Sequence, residues 1–225
     1  MKAVIFDFDG VIVDSEKYWD EAMNAFGQAH INGWQQGDNS RLFSGMTLEG
    51  CFAKLCEHFG VHMTLDEFKN HMCHISENIY HSQASLLPNV HALITDLHEK
   101  NIPLAIASSS KRVWIDIATQ RLNIHHFFYT STTGDEIPHG EGKPKPTIYL
   151  RTAERLNMDP RDCIAIEDAR HGIYAAKNAG MTCVGLRNGF NVTQDLSFAD
   201  HILEGFLDVT TETLRAIHRT CCAAI

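Results

Sequence analysis

No apolar run in this chain approaches the roughly 20 residues that a membrane-spanning helix needs. The opening stretch MKAVIFDFDG turns acidic before an apolar leader core can develop, so no secretory signal is expected. Positive charge is scarce as well. Nineteen Lys and Arg stand against 28 Asp and Glu, a formal net charge of −9, and no basic block interrupts that excess. This argues against nucleic acid as a main partner but not against a small anion, which needs only a few local donors. The seven cysteines (51, 56, 73, 163, 183, 221 and 222) form no CxxC pair and no even framework. They read as reduced thiols of a cytoplasmic protein. Fourteen histidines are many, but pairs such as Cys73–His74 and His125–His126 lack the spacing of metal ligands, and the histidines read as surface or core residues. The closing CAAI formally fits a prenylation box on Cys222, but its last residue is untypical and no polybasic stretch precedes it. Nothing marks a large apolar patch, and a monomer is consistent with the sequence.

What is present is an ordinary globular composition: 225 residues, 44% hydrophobic and 21% charged, enough for one large domain carrying an insertion. Short runs rich in Val and Ile, without alternation, read as strands buried on both faces of a parallel sheet. They are AVIF (3–6), PLAIA (103–107), CIAI (163–166) and CVGL (183–186), with a weaker HFFYT (126–130) and an edge HIL (201–203). Helical patterns alternate with them: Val90–Leu97, Trp114–Leu122, Ile148–Leu156, Ile173–Ala179 and Leu207–Ile217. The class is α/β, a Rossmann-like parallel sheet with helices on both faces.

Residues 16–83 break this rhythm. YWDEAMNAF, LEGCFAKLCEHF and LDEFKNHMCHISENIY all carry helical patterns, and TLDE offers a capping box at Thr64 and Glu67. So long a helical stretch exceeds an ordinary crossover. It is expected to be an inserted all-helical domain (16–83), with 1–15 and 84–225 forming the core.

The chemistry gathers at strand ends. Asp7 and Asp9 follow the first strand, two residues apart and so able to face one site, with Gly10 allowing a sharp turn. Open parallel sheets bind ligands beyond the carboxyl ends of their strands. There the other strands present SSSK (108–111), suited to an oxyanion near a helix start, and the adjacent acids Glu167 and Asp168. Lys143 lies nearby in the loop GEGKPKPTIY. Carboxylates collected at one edge repel one another unless a cation intervenes. A hard divalent ion such as Mg²⁺ resolves the conflict and, with Lys143, would bind a phosphate that one aspartate could attack.

Four motifs in order, DFDGVIVDS, IASSS, GKPKPTIY and IEDARHGIYAAKNAGM, together with the placement of the helical insertion, resemble the haloacid dehalogenase superfamily, in its phosphatase and β-phosphoglucomutase-like branch. The resemblance implies that 16–83 is a helical cap. It implies Asp7 as nucleophile, forming an aspartyl-phosphate, and Asp9 as general acid and then base. Ser108 and the Ser109 amide would hold the phosphoryl oxygens, and Lys143 would balance charge. Magnesium would be bound by Asp7, the Asp9 carbonyl and Asp168, with Glu167 as ligand or support.

Within the superfamily, metal-free dehalogenases lack the second aspartate, so Asp9 speaks against carbon–halogen cleavage. Phosphonate-cleaving relatives use a cap lysine, but Lys54 reads as a helix-surface lysine. Mutases carry a histidine shortly after the first motif, where this chain has Trp19, and a basic cap loop, where it has LFSGMTLEG. These departures favour a phosphatase acting on a small phosphomonoester such as a sugar phosphate. A β-phosphoglucomutase-like mutase is the alternative. Specificity is expected from Trp19, Met23, Ser44, Gly45, Met46 and Thr47, although Trp19 and Met23 could equally be helix packing.

Overall fold

The computed structural model of the protein describes residues 1–38 and 48–222. Six strands form a parallel sheet: β1 (Ala3–Phe6), β4 (Leu104–Ser108), β5 (Phe128–Thr133), β6 (Cys163–Glu167), β7 (Thr182–Leu186) and β8 (His201–Leu203). Their spatial order is β5-β4-β1-β6-β7-β8, so the first strand lies inside the sheet.

Side chains along each strand alternate between two buried faces. Val4, Phe6, Leu104, Ile106, Ile164 and Ile166 join one core with α4 (Val90–Glu99), α5 (Arg112–Arg121) and α8 (Thr211–Cys222). Ala3, Ile5, Ala105, Ala107, Cys163 and Ala165 join the other with α6 (Thr147–Arg155) and α7 (Arg170–Asn178). Both faces being apolar explains why these strands read as unbroken hydrophobic runs. The second face carries mostly small residues, Ala and Cys, on its strands.

Between two short strands, β2 (Val13–Asp14) and β3 (Ser85–Leu86), run α1 (Glu16–His30), α2 (Leu48–Phe59) and α3 (Leu65–Asn78). The two strands pair antiparallel, Val13 with Leu86 and Asp14 with Ser85, and tie the start of the helical segment to its end. Two residues each are too few for a periodic signal, and the sequence did not reveal them. The helices bury Met23, Phe26, Leu55, Phe68 and Met72 in a cluster of their own. At α3 the capping box forms: the Glu67 amide donates to Thr64 Oγ1 (3.2 Å) and the Thr64 amide to Glu67 Oε2 (2.8 Å).

Most boundaries shift by one to three residues, and two shifts have a visible cause. The weak strand begins at Phe128, because His125–Phe127 forms a 3₁₀ turn. The last helix begins at Thr211 rather than Leu207, because Asp96 Oδ2 of α4 accepts from both the Thr211 amide and its hydroxyl, each at 2.7 Å. Those bonds satisfy donors that a helix start leaves unpaired. Among the described residues no helix is long and apolar enough to cross a membrane.

Candidate active site

Register places the acids. Phe6 lies opposite Ile106 of β4 on one side and Ile166 of β6 on the other. The next residues along these strands, Asp7, Ala107 and Glu167, therefore end at one edge of the sheet. The Asp7 amide still donates to the Ile166 carbonyl (3.0 Å), which fixes its backbone as an extension of β1. Beyond it the chain turns tightly, with the amides of Ile12 and Val13 donating to the Phe8 carbonyl at 2.8 and 3.0 Å. Gly10 sits in this turn at φ +76°, and a Cβ there would stand 2.1 Å from Asp168 Oδ2. Both the conformation and the close approach require glycine.

Lys143 is almost wholly buried between acids. Its Nζ donates to Glu167 Oε1 (2.6 Å) and to the Ala107 carbonyl (3.1 Å), and forms an ion pair with Asp7 Oδ1 at 2.9 Å. Tyr149 of α6 also donates to Glu167 Oε1, at 2.6 Å. Gly172 of α7 makes room for this carboxylate, since a Cβ there would fall 1.9 Å from Oε1. Asp168 is held from behind: Asn188 Nδ2 donates to its Oδ2 (3.1 Å), and Asn191 Nδ2 to its carbonyl (2.7 Å).

Asp9 lies in a different environment. Its Oδ1 accepts from the hydroxyls of Ser15 (2.5 Å) and Tyr80 (2.7 Å), and its Oδ2 from Ser110 (2.5 Å). Tyr80 Oη in turn accepts from Trp19 Nε1 at 3.1 Å. Ser108 Oγ accepts the Ser110 amide at 3.1 Å, which leaves its own hydroxyl proton free to donate elsewhere.

The edge is short of positive charge. Burial pushes Asp7 up to about 8, the Glu167 carboxylate adding to the shift and Lys143 opposing it. Burial and the neighbouring Glu16 hold Asp168 well above the ordinary carboxylate range. Glu16, at the start of α1, is raised to about 7 by burial and by Asp9. Burial works against the charge on Lys143, yet Asp7 and Glu167 outweigh it and raise its pKa. Asp7, Glu167 and Asp168 offer carboxylate oxygens all within 4.8 Å of one another. Glu167 Oε2 is buried with no hydrogen-bond partner, and Asp7 Oδ1 has none beyond its ion pair. One ammonium against this set of hard oxygens fits a divalent cation such as magnesium.

The residues singled out in the sequence fall into three groups. Asp7, Asp9, Ser108, Ser109, Lys143, Glu167 and Asp168 line one cavity of about 590 Å³. Trp19 and Met23 line it from α1, and both also pack against buried apolar clusters. Ser44, Gly45, Met46 and Thr47 lie outside the described residues. Sequence reasoning missed Ser15, Glu16, Tyr80, Ser110, Tyr149 and Asn188. Ser15, Ser110 and Tyr149 stand inside the motifs DFDGVIVDS, IASSS and GKPKPTIY, but Tyr80 and Tyr149 look like ordinary apolar helix positions.

The family of haloacid dehalogenase-like hydrolases matches residues 4–186 of the chain, and the protein belongs to that family. Among curated relatives, the phosphorylated carbohydrates phosphatase of Thermotoga maritima is 30% identical over 80% of this chain and 82% of its own. The beta-phosphoglucomutase of Bacillus subtilis is 33% identical over 95% of this chain and 94% of its own. Among solved structures, CbbY from Rhodobacter sphaeroides in complex with phosphate superposes with a TM-score of 0.84 over 96% of this chain and 99% of its own. At 22% identity that likeness speaks to the fold alone.

Proposed function

We propose that this protein is a magnesium-dependent phosphatase that hydrolyses a small phosphomonoester, such as a sugar phosphate, through an aspartyl-phosphate on Asp7. The observation that carries the reading is the contrast between the two aspartates. Asp7 sits with Lys143, Glu167 and Asp168, whereas Asp9 is surrounded by hydroxyl donors. Such a division suits one carboxylate to attack and the other to carry protons.

In this reading Ser108 and the Ser109 amide bind the phosphoryl oxygens, and Lys143 offsets their charge. Asp7 attacks phosphorus as the bond to the leaving oxygen breaks, and Asp9 gives that oxygen its proton. Asp9 then takes a proton from water, which attacks the phosphoryl group and frees Asp7 with release of phosphate. Asp7, Asp168 and the Asp9 carbonyl would hold magnesium, with Glu167 supporting; the ion supplies neutralisation of phosphate charge. Residues 16–83 form a cap over the core (1–15 and 84–225), and its closure excludes water from the site. Such an enzyme works in the cytoplasm on a small metabolite, without nucleic acid or membrane as partner.

A screen of phosphorylated metabolites tests the reading. Wild type is expected to release phosphate in Mg²⁺, to lose turnover in a chelator and to regain it when Mg²⁺ is restored. Asp7→Asn is expected to release none, and undiminished turnover in that variant would sink the mechanism. The relationship to a beta-phosphoglucomutase favours a second reading, phosphoryl transfer to a sugar hydroxyl. Conversion of glucose 1-phosphate with a bisphosphate activator, faster than phosphate release, would establish that reading instead.

A further inference from the structure

Three chain segments converge on one carboxylate. Ser15 follows β2, Tyr80 lies in a π-helical turn (Ile79–Gln83) at the end of α3, and Ser110 belongs to the loop after β4. All three hydroxyls reach Asp9. Tyr80 is fully buried, and its ring stacks on Trp114 of α5 with centroids 5.7 Å apart and planes 17° apart. The Tyr80 carbonyl accepts Arg121 Nε at 2.9 Å, so ring and backbone are both anchored to the core. Trp19 leans on the same ring, 6.4 Å between centroids, and its indole can only donate.

Counting protons fixes the direction of each bond. Trp19 Nε1–H fills a lone pair of Tyr80 Oη, so the single phenolic proton must go to another acceptor. Asp9 Oδ1 stands at 2.7 Å and Ser110 Oγ at 3.4 Å, which selects the carboxylate. With the Ser15 proton also on Oδ1, that oxygen receives two hydroxyl protons while Oδ2 receives one. When Asp9 takes up a proton, Oδ2 is the oxygen with room for it. The Ser110 hydroxyl can rotate to accept there or to donate toward Tyr80.

We propose that Tyr80, oriented by Trp19, is a positioning residue for proton transfer by Asp9, occupying Oδ1 so that the mobile proton is carried on Oδ2. This rests on the phosphatase reading above and adds to it a residue from the far end of the helical segment. As the bond from phosphorus to the leaving oxygen breaks, the Oδ2 proton passes to that oxygen and Asp9 is left a carboxylate. The Tyr80 proton stays on Tyr80 throughout.

The test exploits leaving groups. General-acid help matters when an alkoxide departs and little when p-nitrophenolate does. kcat/KM reports the first phosphoryl transfer and is measured in Mg²⁺ for p-nitrophenyl phosphate, phenyl phosphate and glycerol 2-phosphate. For Tyr80→Phe, which keeps the ring, the loss on glycerol 2-phosphate is expected to exceed that on p-nitrophenyl phosphate by about tenfold or more, with phenyl phosphate between. Trp19→Phe, which removes the indole donor and also shrinks the ring, is expected to show the same ranking with a smaller spread. It also carries the test if Tyr80→Phe does not fold. Equal losses across the three esters, or none, would overturn the proposal, because damaged packing does not sense the leaving group. Turnover retained in Asp7→Asn would overturn the phosphatase reading instead.

Discussion

Lys143 serves two acids at once: its Nζ lies 2.6 Å from Glu167 Oε1 and 2.9 Å from Asp7 Oδ1. The Glu167 side chain is wholly buried and that of Lys143 nearly so, so neither finds water if the other is removed. Lys143→Met keeps most of the stem but leaves both acids without their cation. Breaking a buried ion pair from one side costs about 3–5 kcal/mol, which urea unfolding will read. Turnover is expected to fall by about 100-fold or more, since a preorganised charge at the phosphoryl site is lost.

Gly172 and Glu167 are coupled through space. The Cβ of Gly172→Ala would overlap the Glu167 carboxylate, which is already fixed by Lys143 and Tyr149. Either α7 moves or Glu167 does, and overpacking of this kind costs about 1–3 kcal/mol. A displaced Glu167 carries Lys143 with it, and misplacement near 1 Å is worth about 100-fold in rate. Steady-state kinetics should therefore show a loss of kcat larger than the fall in stability accounts for. Normal kcat in a folded Gly172→Ala protein would show that Glu167 does not set the position of Lys143.

Asp96 gives a pH-dependent contribution far from the site. The amide and hydroxyl of Thr211, with Lys100 beside them, lower its pKa to about 2 from an ordinary 3.8. A carboxyl acidified by folding stabilises the native state above its unfolded pKa. That contribution is lost as pH falls through the folded value. Asp96→Asn is thus expected to cost about 1 kcal/mol at neutral pH, a helix-start contribution reduced by the partial exposure of Asp96. The gap from wild type should hold down to about pH 5 and close between about pH 4 and pH 2. A gap independent of pH would contradict it.

Much of the architecture was legible because burial on both faces leaves a strong signature. The expected AVIF strand is β1 to the residue, and HIL is β8. Where a strand end curls into a 3₁₀ turn, as before Phe128, apolar content alone misplaced the boundary by two residues. Asp7, Asp9, Glu167 and Asp168 were also in view, since acids at strand ends have few other reasons to follow an apolar run. Ser108 and Ser110 show the limit. Three consecutive serines look alike as letters, yet one lies on Asp9 while another accepts an amide.

The α/β class, the helical patterns within 16–83 and the acids at the sheet edge could be read from the sequence. Those features depend on local periodicity and on residue type at strand ends. The surroundings of Asp9, by contrast, come from long-range packing. Tyr80 and Trp19 are 61 residues apart, and Tyr80 and Asp9 are 71 apart. Nothing local in an apolar helix reveals that a tyrosine hydroxyl will end on a carboxylate. That meeting is set by the β2–β3 pair, which closes the helical segment onto the sheet, and by the stacking of Tyr80 on Trp114. Donor direction then follows from proton counting, which needs distances that no linear pattern contains.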